Sequence, residues 1–174
     1  MMAVMPGSNP KRTLFASAAP PRAPLRHIVL ASVAVSLPLM TLALLAQSVS
    51  DLLFLPPIGA AMALIVGAPN LPLAQPRNVV LGHLIGCLSG VVTLNFLGSG
   101  VIQAAIAAGT SFALMLLARA AHSPATATAM VAVLLPHGDD FSFLGFVVAS
   151  SLMIVVLGVV ANRLRGIKYP DYWW

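Results

Sequence analysis

Four stretches without one Asp, Glu, Lys or Arg, residues 28–46, 79–97, 101–118 and 143–161, decide what this chain can fold into. An α-helix rises about 1.5 Å per residue and a bilayer's hydrocarbon core is about 30 Å thick, so each run is close to spanning length. Lipid offers backbone N–H and C=O groups no partner, so such runs must close their hydrogen bonds internally, as helices. Composition agrees: 59% of residues are hydrophobic, 7% are charged and the mean hydropathy is +0.97. A soluble domain would carry about 25% charged residues. The expected fold class is an all-α membrane protein.

Charge placement orders the helices. Residues 1–26 hold Lys11, Arg12, Arg22 and Arg26 among Pro, Ala and Ser, and read as a disordered basic leader on the cytoplasmic side. The following apolar run exceeds the roughly 7–15 residues of a signal-peptide core, which favours an uncleaved first span. Two shorter apolar stretches, 52–68 and 124–136, lie between the long ones. If they also carry the chain across, six segments result, four full helices and two short ones. All nine basic residues then face the cytoplasm, while Asp51, Asp139 and Asp140 face outward, as the positive-inside rule requires. This gives a multi-pass protein of the bacterial inner membrane with both termini cytoplasmic and a transmembrane domain over 27–165. The tail 166–174 brings Tyr169, Tyr172, Trp173 and Trp174 to the headgroup level. Nine scattered cations make no phosphate-tracking stripe, so the lipid bilayer is the expected partner and nucleic acid is not.

Chemistry is expected in the two short stretches. The first contains Pro56, Pro57 and Gly59, and the second begins and ends on proline. Proline breaks a helix interior yet fits a first turn, so Pro57 and Pro124 read as starts of short helices within broken elements. Irregular backbone at membrane depth survives only where protein or a watery cavity covers it. Aligning 57–69 with 124–136, an offset of 67, superposes both pairs of prolines, Ala60 on Ala127 and Val66 on Val133. The same offset pairs the long runs in opposite directions. That pattern predicts a 3+3 inverted repeat whose two half-helices meet near the midplane and frame a substrate site.

A half-helix N-terminus presents unpaired N–H groups and about half a positive charge, which suits an anion. The expected binding residues are Pro57, Gly59, Ala60, Ser123, Thr126 and Thr128, with Gly59 admitting close approach, Ser123 capping and the threonines supplying hydroxyls. Each hydroxyl can equally bond its own backbone or a neighbouring helix. Arg77, Asn78, His83 and His122 are expected at the mouth or gate. Arg77 gathers anions or anchors topology; His83 couples protons or bonds a nearby carbonyl. Gly82, Gly86 and Gly90 recur every four residues as a packing seam, within the chain or between copies in a homo-oligomer. His137, Asp139 and Asp140 sit too close together in one turn to make a metal site, and no phosphate loop or nucleophile–base pair is present. Neither a cofactor nor an enzymatic activity is expected.

The segment PPIGAAMALIVGAPNLPLAQPRNVVLGHLIG (56–86) together with HSPATATAM (122–130) resembles the HPP family of integral membrane proteins. The likeness covers roughly residues 26–164, and it departs from the family pattern where Ser123 stands in place of the first of two prolines after His122. The resemblance implies a small membrane transporter and, since some members are associated with nitrite movement, transport of a small anion such as nitrite. The other reading of these residues is a structural or regulatory membrane subunit with no transport of its own.

Overall fold

The computed structural model describes residues 21–45, 55–135 and 137–174, and the proposed leader lies mostly outside them. The described residues form six α-helices and no strand: α1 Leu25–Leu45, α2 Leu55–Gly67, α3 Pro76–Leu97, α4 Val101–Leu117, α5 Pro124–Leu134 and α6 Asp140–Leu164. A 3₁₀ turn, Pro72–Ala74, precedes α3. Three helices are long and apolar enough to cross a membrane, Leu25–Leu44, Pro76–Leu97 and Asp140–Leu164. The fourth, α4, has 17 residues and sits at the lower limit for spanning.

The ends follow local chemistry. Pro56 and Pro57 fall in the first turn of α2, which starts at Leu55, two residues before the expected Pro57; Pro124 opens α5 as expected. Their missing N–H groups cost nothing there. Gly98 (φ 79°) and Gly100 (φ 153°) turn the chain from α3 into α4 through backbone that side-chain-bearing residues rarely adopt. Asp139 caps α6, its Oδ1 accepting from the Phe141 and Ser142 N–H groups at 3.0 Å each. These bonds hold its carboxyl below the usual range, the contacts with Ser142 contributing most.

Two glycine contacts set the register of the bundle. A Cβ on Gly86 would collide with the Ala125 carbonyl, and one on Gly90 would lie 2.5 Å from the Ala129 carbonyl and from Ala132 Cβ. Contacts therefore climb both helices together, and α5 runs parallel to α3. The seam of Gly82, Gly86 and Gly90 is thus filled within the same chain, Gly82 by His122 just ahead of α5 and Gly86 and Gly90 by α5 itself. A Cβ on Gly158 would meet Ile65 Cγ2 at 2.6 Å, and Asn162 Nδ2 donates to the Ile65 carbonyl at 3.1 Å. So α2 and α6 lie side by side with their C-terminal turns together, also parallel. Shifted by 67, Ile65 becomes Ala132 and Gly158 falls one residue from Gly90, so the sequence repeat has a counterpart in packing. Asn95 near the end of α3 donates to Asp140 at the start of α6 at 2.9 Å, so these central helices are antiparallel and the two half-helices point in opposite directions. On the periphery α1 packs against α2 and α6, with only 11% of its spanning window buried against 44% for α3 and α6.

Candidate functional site

Depth comes from these contacts. Ala125 faces Gly86, ten residues into α3, so α5 begins about 15 Å along a helix of about 33 Å. By the same reckoning Pro57, eight residues before Ile65, stands level with residues 150–154 near the middle of α6. Both half-helices start at mid-depth.

Residues 118–123 must therefore climb from the end of α4 to the middle of the bundle as non-helical backbone, and α3 supplies the partners that this backbone needs. Arg77 donates through Nη1 to the Arg119 carbonyl at 2.6 Å and through Nη2 to the Ala118 carbonyl at 3.1 Å. Asn78 Nδ2 donates to the Ala121 carbonyl at 3.0 Å. Helix α4 itself ends in a Schellman arrangement, Ala120 N–H to the Met115 carbonyl and Arg119 N–H to the Leu116 carbonyl, with Arg119 at φ 54° in the place usually given to glycine. Beyond holding these carbonyls, Arg77 stacks under the Trp174 ring at 5.6 Å.

Where this climb ends, three side chains converge. His122, fully buried, packs its Cβ against Gly82, where a methyl group would lie 2.6 Å away. Its Nδ1 is 2.7 Å from the Leu73 carbonyl. A carbonyl only accepts, so Nδ1 carries the proton and Nε2 of the neutral ring is an acceptor. His83, also fully buried, meets the His122 ring edge-on with centroids 4.9 Å apart, and its Nδ1 lies 2.8 Å from Thr128 Oγ1. The cluster thus joins α3, the climbing segment and α5. Two buried side-chain atoms beside it lack partners among the described residues, His122 Nε2 and Asn78 Oδ1.

The remaining expected residues divide. Thr126 Oγ1 donates to the Ser123 carbonyl at 2.8 Å, a bond within its own turn. Ser123 occupies the N-cap position but makes no side-chain cap, which corrects the capping expectation. The Ala125 and Thr126 N–H groups are already taken by the His122 and Ser123 carbonyls at 3.0 and 3.2 Å. The first turn therefore offers its dipole more than free donors. Pro57 is buried, whereas Ala60 is exposed. A Cβ on Gly59 would meet Leu39 of α1 at an ordinary 3.6 Å, so that half-buried glycine faces α1. Surface grooves lie elsewhere: one of about 490 Å³ between α3 and α4 near Ser89 and Thr110, and one of about 270 Å³ at the opposite end near His137 and Asp140.

The tail corrects another expectation. Tyr169 is buried and its hydroxyl donates to the Ala74 carbonyl at 2.8 Å, so it belongs to the fold and not to the headgroup layer. Trp173 and Trp174 are exposed. Gln75, which sequence reasoning passed over, is fully buried: Nε2 donates to the Pro69 and Leu71 carbonyls at 2.8 and 3.2 Å, and Oε1 accepts from the Asp171 N–H at 2.9 Å. Asn162 and Arg165, also passed over, close the end of α2, Arg165 Nη1 donating to the Val66 carbonyl at 2.8 Å. The signal for Gln75 was its place in the AQPRN segment. For Asn162 it was an amide at the end of a long apolar run.

A family profile described as the transmembrane region of HPP matches residues 20–170. Two curated transmembrane proteins of Dictyostelium discoideum are each 32% identical to the chain over 123 residues, 66% of its length. The match covers 43% of one and 40% of the other, so the chain spans less than half the length of these relatives. No solved structure matches it.

Proposed function

This chain belongs to the HPP family of transmembrane proteins, and from that premise we propose that it moves a small inorganic anion, nitrite in the first instance, across the bacterial inner membrane. The observation that carries the reading is the mid-depth start of α5, where Thr128, His83 and His122 gather beside a helix N-terminus. The helix end contributes about half a positive charge, and the Thr128 hydroxyl and the His83 ring supply polar contacts without a fixed full charge. An anion held this way is stabilised enough to enter and weakly enough to leave. With both termini cytoplasmic, Arg77 and Arg119 stand at the inner entrance, where a local excess of cations raises anion concentration. The climbing segment 118–123 is the natural moving part, because side-chain hydrogen bonds and not a continuous helix hold it in place.

Proteoliposomes loaded by nitrite gradient test this. The purified chain should raise nitrite flux above protein-free vesicles. At equal reconstitution, Thr128→Val should lower it about two- to tenfold, the worth of one hydroxyl at about 0.5–1.5 kcal/mol. Thr126→Val, whose hydroxyl serves its own turn, should leave it unchanged. Flux that appears only with an added membrane partner would favour the subunit reading instead.

A further inference from the structure

We infer that the anion crosses together with a proton, and that His122 Nε2 is the atom that takes the proton. The inference rests on the proposed anion transport and adds the co-substrate. Leu73 pins the tautomer: its carbonyl, 2.7 Å from Nδ1, fixes that nitrogen as the donor and leaves Nε2 with a lone pair. Nε2 is buried and has no partner among the described residues. One turn down α3 from Gly82, on which His122 packs, Asn78 presents a second orphan, Oδ1; its amide nitrogen is spent on the Ala121 carbonyl, so the free atom is again an acceptor.

Two buried acceptors do not attract a bare anion. They fit a ligand that brings a hydrogen-bond donor, which an inorganic anion does only with a proton. The balance is simple: Nε2 binds H⁺ to give an imidazolium with N–H groups at both nitrogens, Nδ1–H stays on Leu73, and the new Nε2–H faces the anion. The charges cancel, and on release the proton returns to solvent with the anion. Either ion alone would stand as an uncompensated charge in a buried place, so each favours entry of the other.

Among the described residues, no carboxylate is found beside His122 as a competing countercharge. Facing His122 are the His83 ring from α3, the Leu73 carbonyl from the preceding connection, and Met115 of α4, which shares its contact with Gly82. Arg77 is committed to the carbonyls of Ala118 and Arg119 and to Trp174, and Arg119 is exposed. His83 Nδ1 faces the Thr128 hydroxyl, which can donate or accept, so only at His122 does the partner fix Nε2 as the acceptor.

The test uses the full chain in vesicles with sodium nitrite as probe, a trapped pH dye, and a membrane potential clamped by potassium and valinomycin, all rates taken over protein-free vesicles. One proton should enter with each nitrite, the clamped potential should leave the rate unchanged, and a one-unit pH gradient should accumulate nitrite about tenfold. Nitrite flux that follows the potential and moves no protons would overturn the inference and leave the proposed function standing. Absence of any nitrite flux would overturn both. In a second arm, His122→Asn keeps an amide donor near the position of Nδ1 and removes Nε2. Residual flux in that variant should lose its proton and become sensitive to potential. Unchanged coupling in His122→Asn would assign the proton elsewhere and sink the inference, and should the variant fail to fold, the wild-type stoichiometry decides alone.

Discussion

Replacing Gly90 by alanine should open the seam between α3 and α5. The added Cβ would stand 2.5 Å from the Ala129 carbonyl oxygen and 2.5 Å from Ala132 Cβ, where non-bonded carbons rest at about 3.5–4.0 Å. Neither neighbour can rotate away, since one is helix backbone and the other a methyl fixed to it. The helices must separate by about 1 Å, and overpacking of this kind costs about 1–3 kcal/mol. Alanine's higher helix propensity offsets about 1 kcal/mol of that. Gly109→Ala removes this ambiguity, because nothing lies within 4 Å of its Cβ and only the propensity gain remains. The difference between the two variants therefore isolates packing, with Gly90→Ala less stable than Gly109→Ala by about 1–3 kcal/mol. Gly158→Ala should also be less stable than Gly109→Ala, since its obstacle is Ile65 Cγ2 at 2.6 Å, a methyl on the branched carbon of a buried helical residue with a stiff χ1. Equilibrium unfolding in mixed micelles measures all three. If Gly90→Ala proves as stable as Gly109→Ala, α5 does not lie in the glycine seam, and the mid-depth start of α5 goes with it.

Arg77→Lys keeps the positive charge but loses the two-pronged grip on the Ala118 and Arg119 carbonyls; topology by cysteine labelling should be unchanged, with stability lower by about 1–3 kcal/mol. Arg119→Gly should do the reverse, relieving backbone at φ 54° and stabilising the fold by about 1 kcal/mol while removing a cation. Asn162→Ala strands the buried Ile65 carbonyl and should destabilise by about 1–3 kcal/mol in the same unfolding assay. The Asp139 cap has a pH signature: its folded pKa is depressed, so its contribution is complete above the ordinary value of 3.8 and disappears as pH falls through the folded one. Asp139→Asn, which still caps, should flatten that acid limb of the stability curve.

The long helices were legible because lipid imposes one rule on every residue of a span, and α1, α3, α4 and α6 lie where charge-free runs lie. The short ones were legible through proline, which marks the start of α5 to the residue. The choice between Thr126 and Thr128 was readable in principle. Thr128 shares a helical face with Ala125, Ala129 and Ala132, which meet the α3 glycines, and two residues' spacing puts Thr126 elsewhere. At Gly59 a small residue in a broken stretch suits ligand approach and helix packing equally, and no sequence pattern gives the position of α1, which it faces. What no pattern could supply was the set of carbonyl partners. Gln75, Arg77, Asn78, His122, Asn162, Arg165 and Tyr169 each reach a backbone oxygen, and irregular backbone has no period to announce where its oxygens point.

If the protein works as proposed, the start of α5 is a mid-depth site reached by water and by the transported anion. This is tested by the rate at which a charged, membrane-impermeant thiol reagent modifies Ser123→Cys in a Cys87→Ser background, with and without nitrite. Modification should come from the cytoplasmic side, slowed by saturating nitrite and unaffected by an equal concentration of a bulky organic anion. A cysteine that stays unreactive, or that reacts at the same rate whether or not nitrite is present, would contradict it.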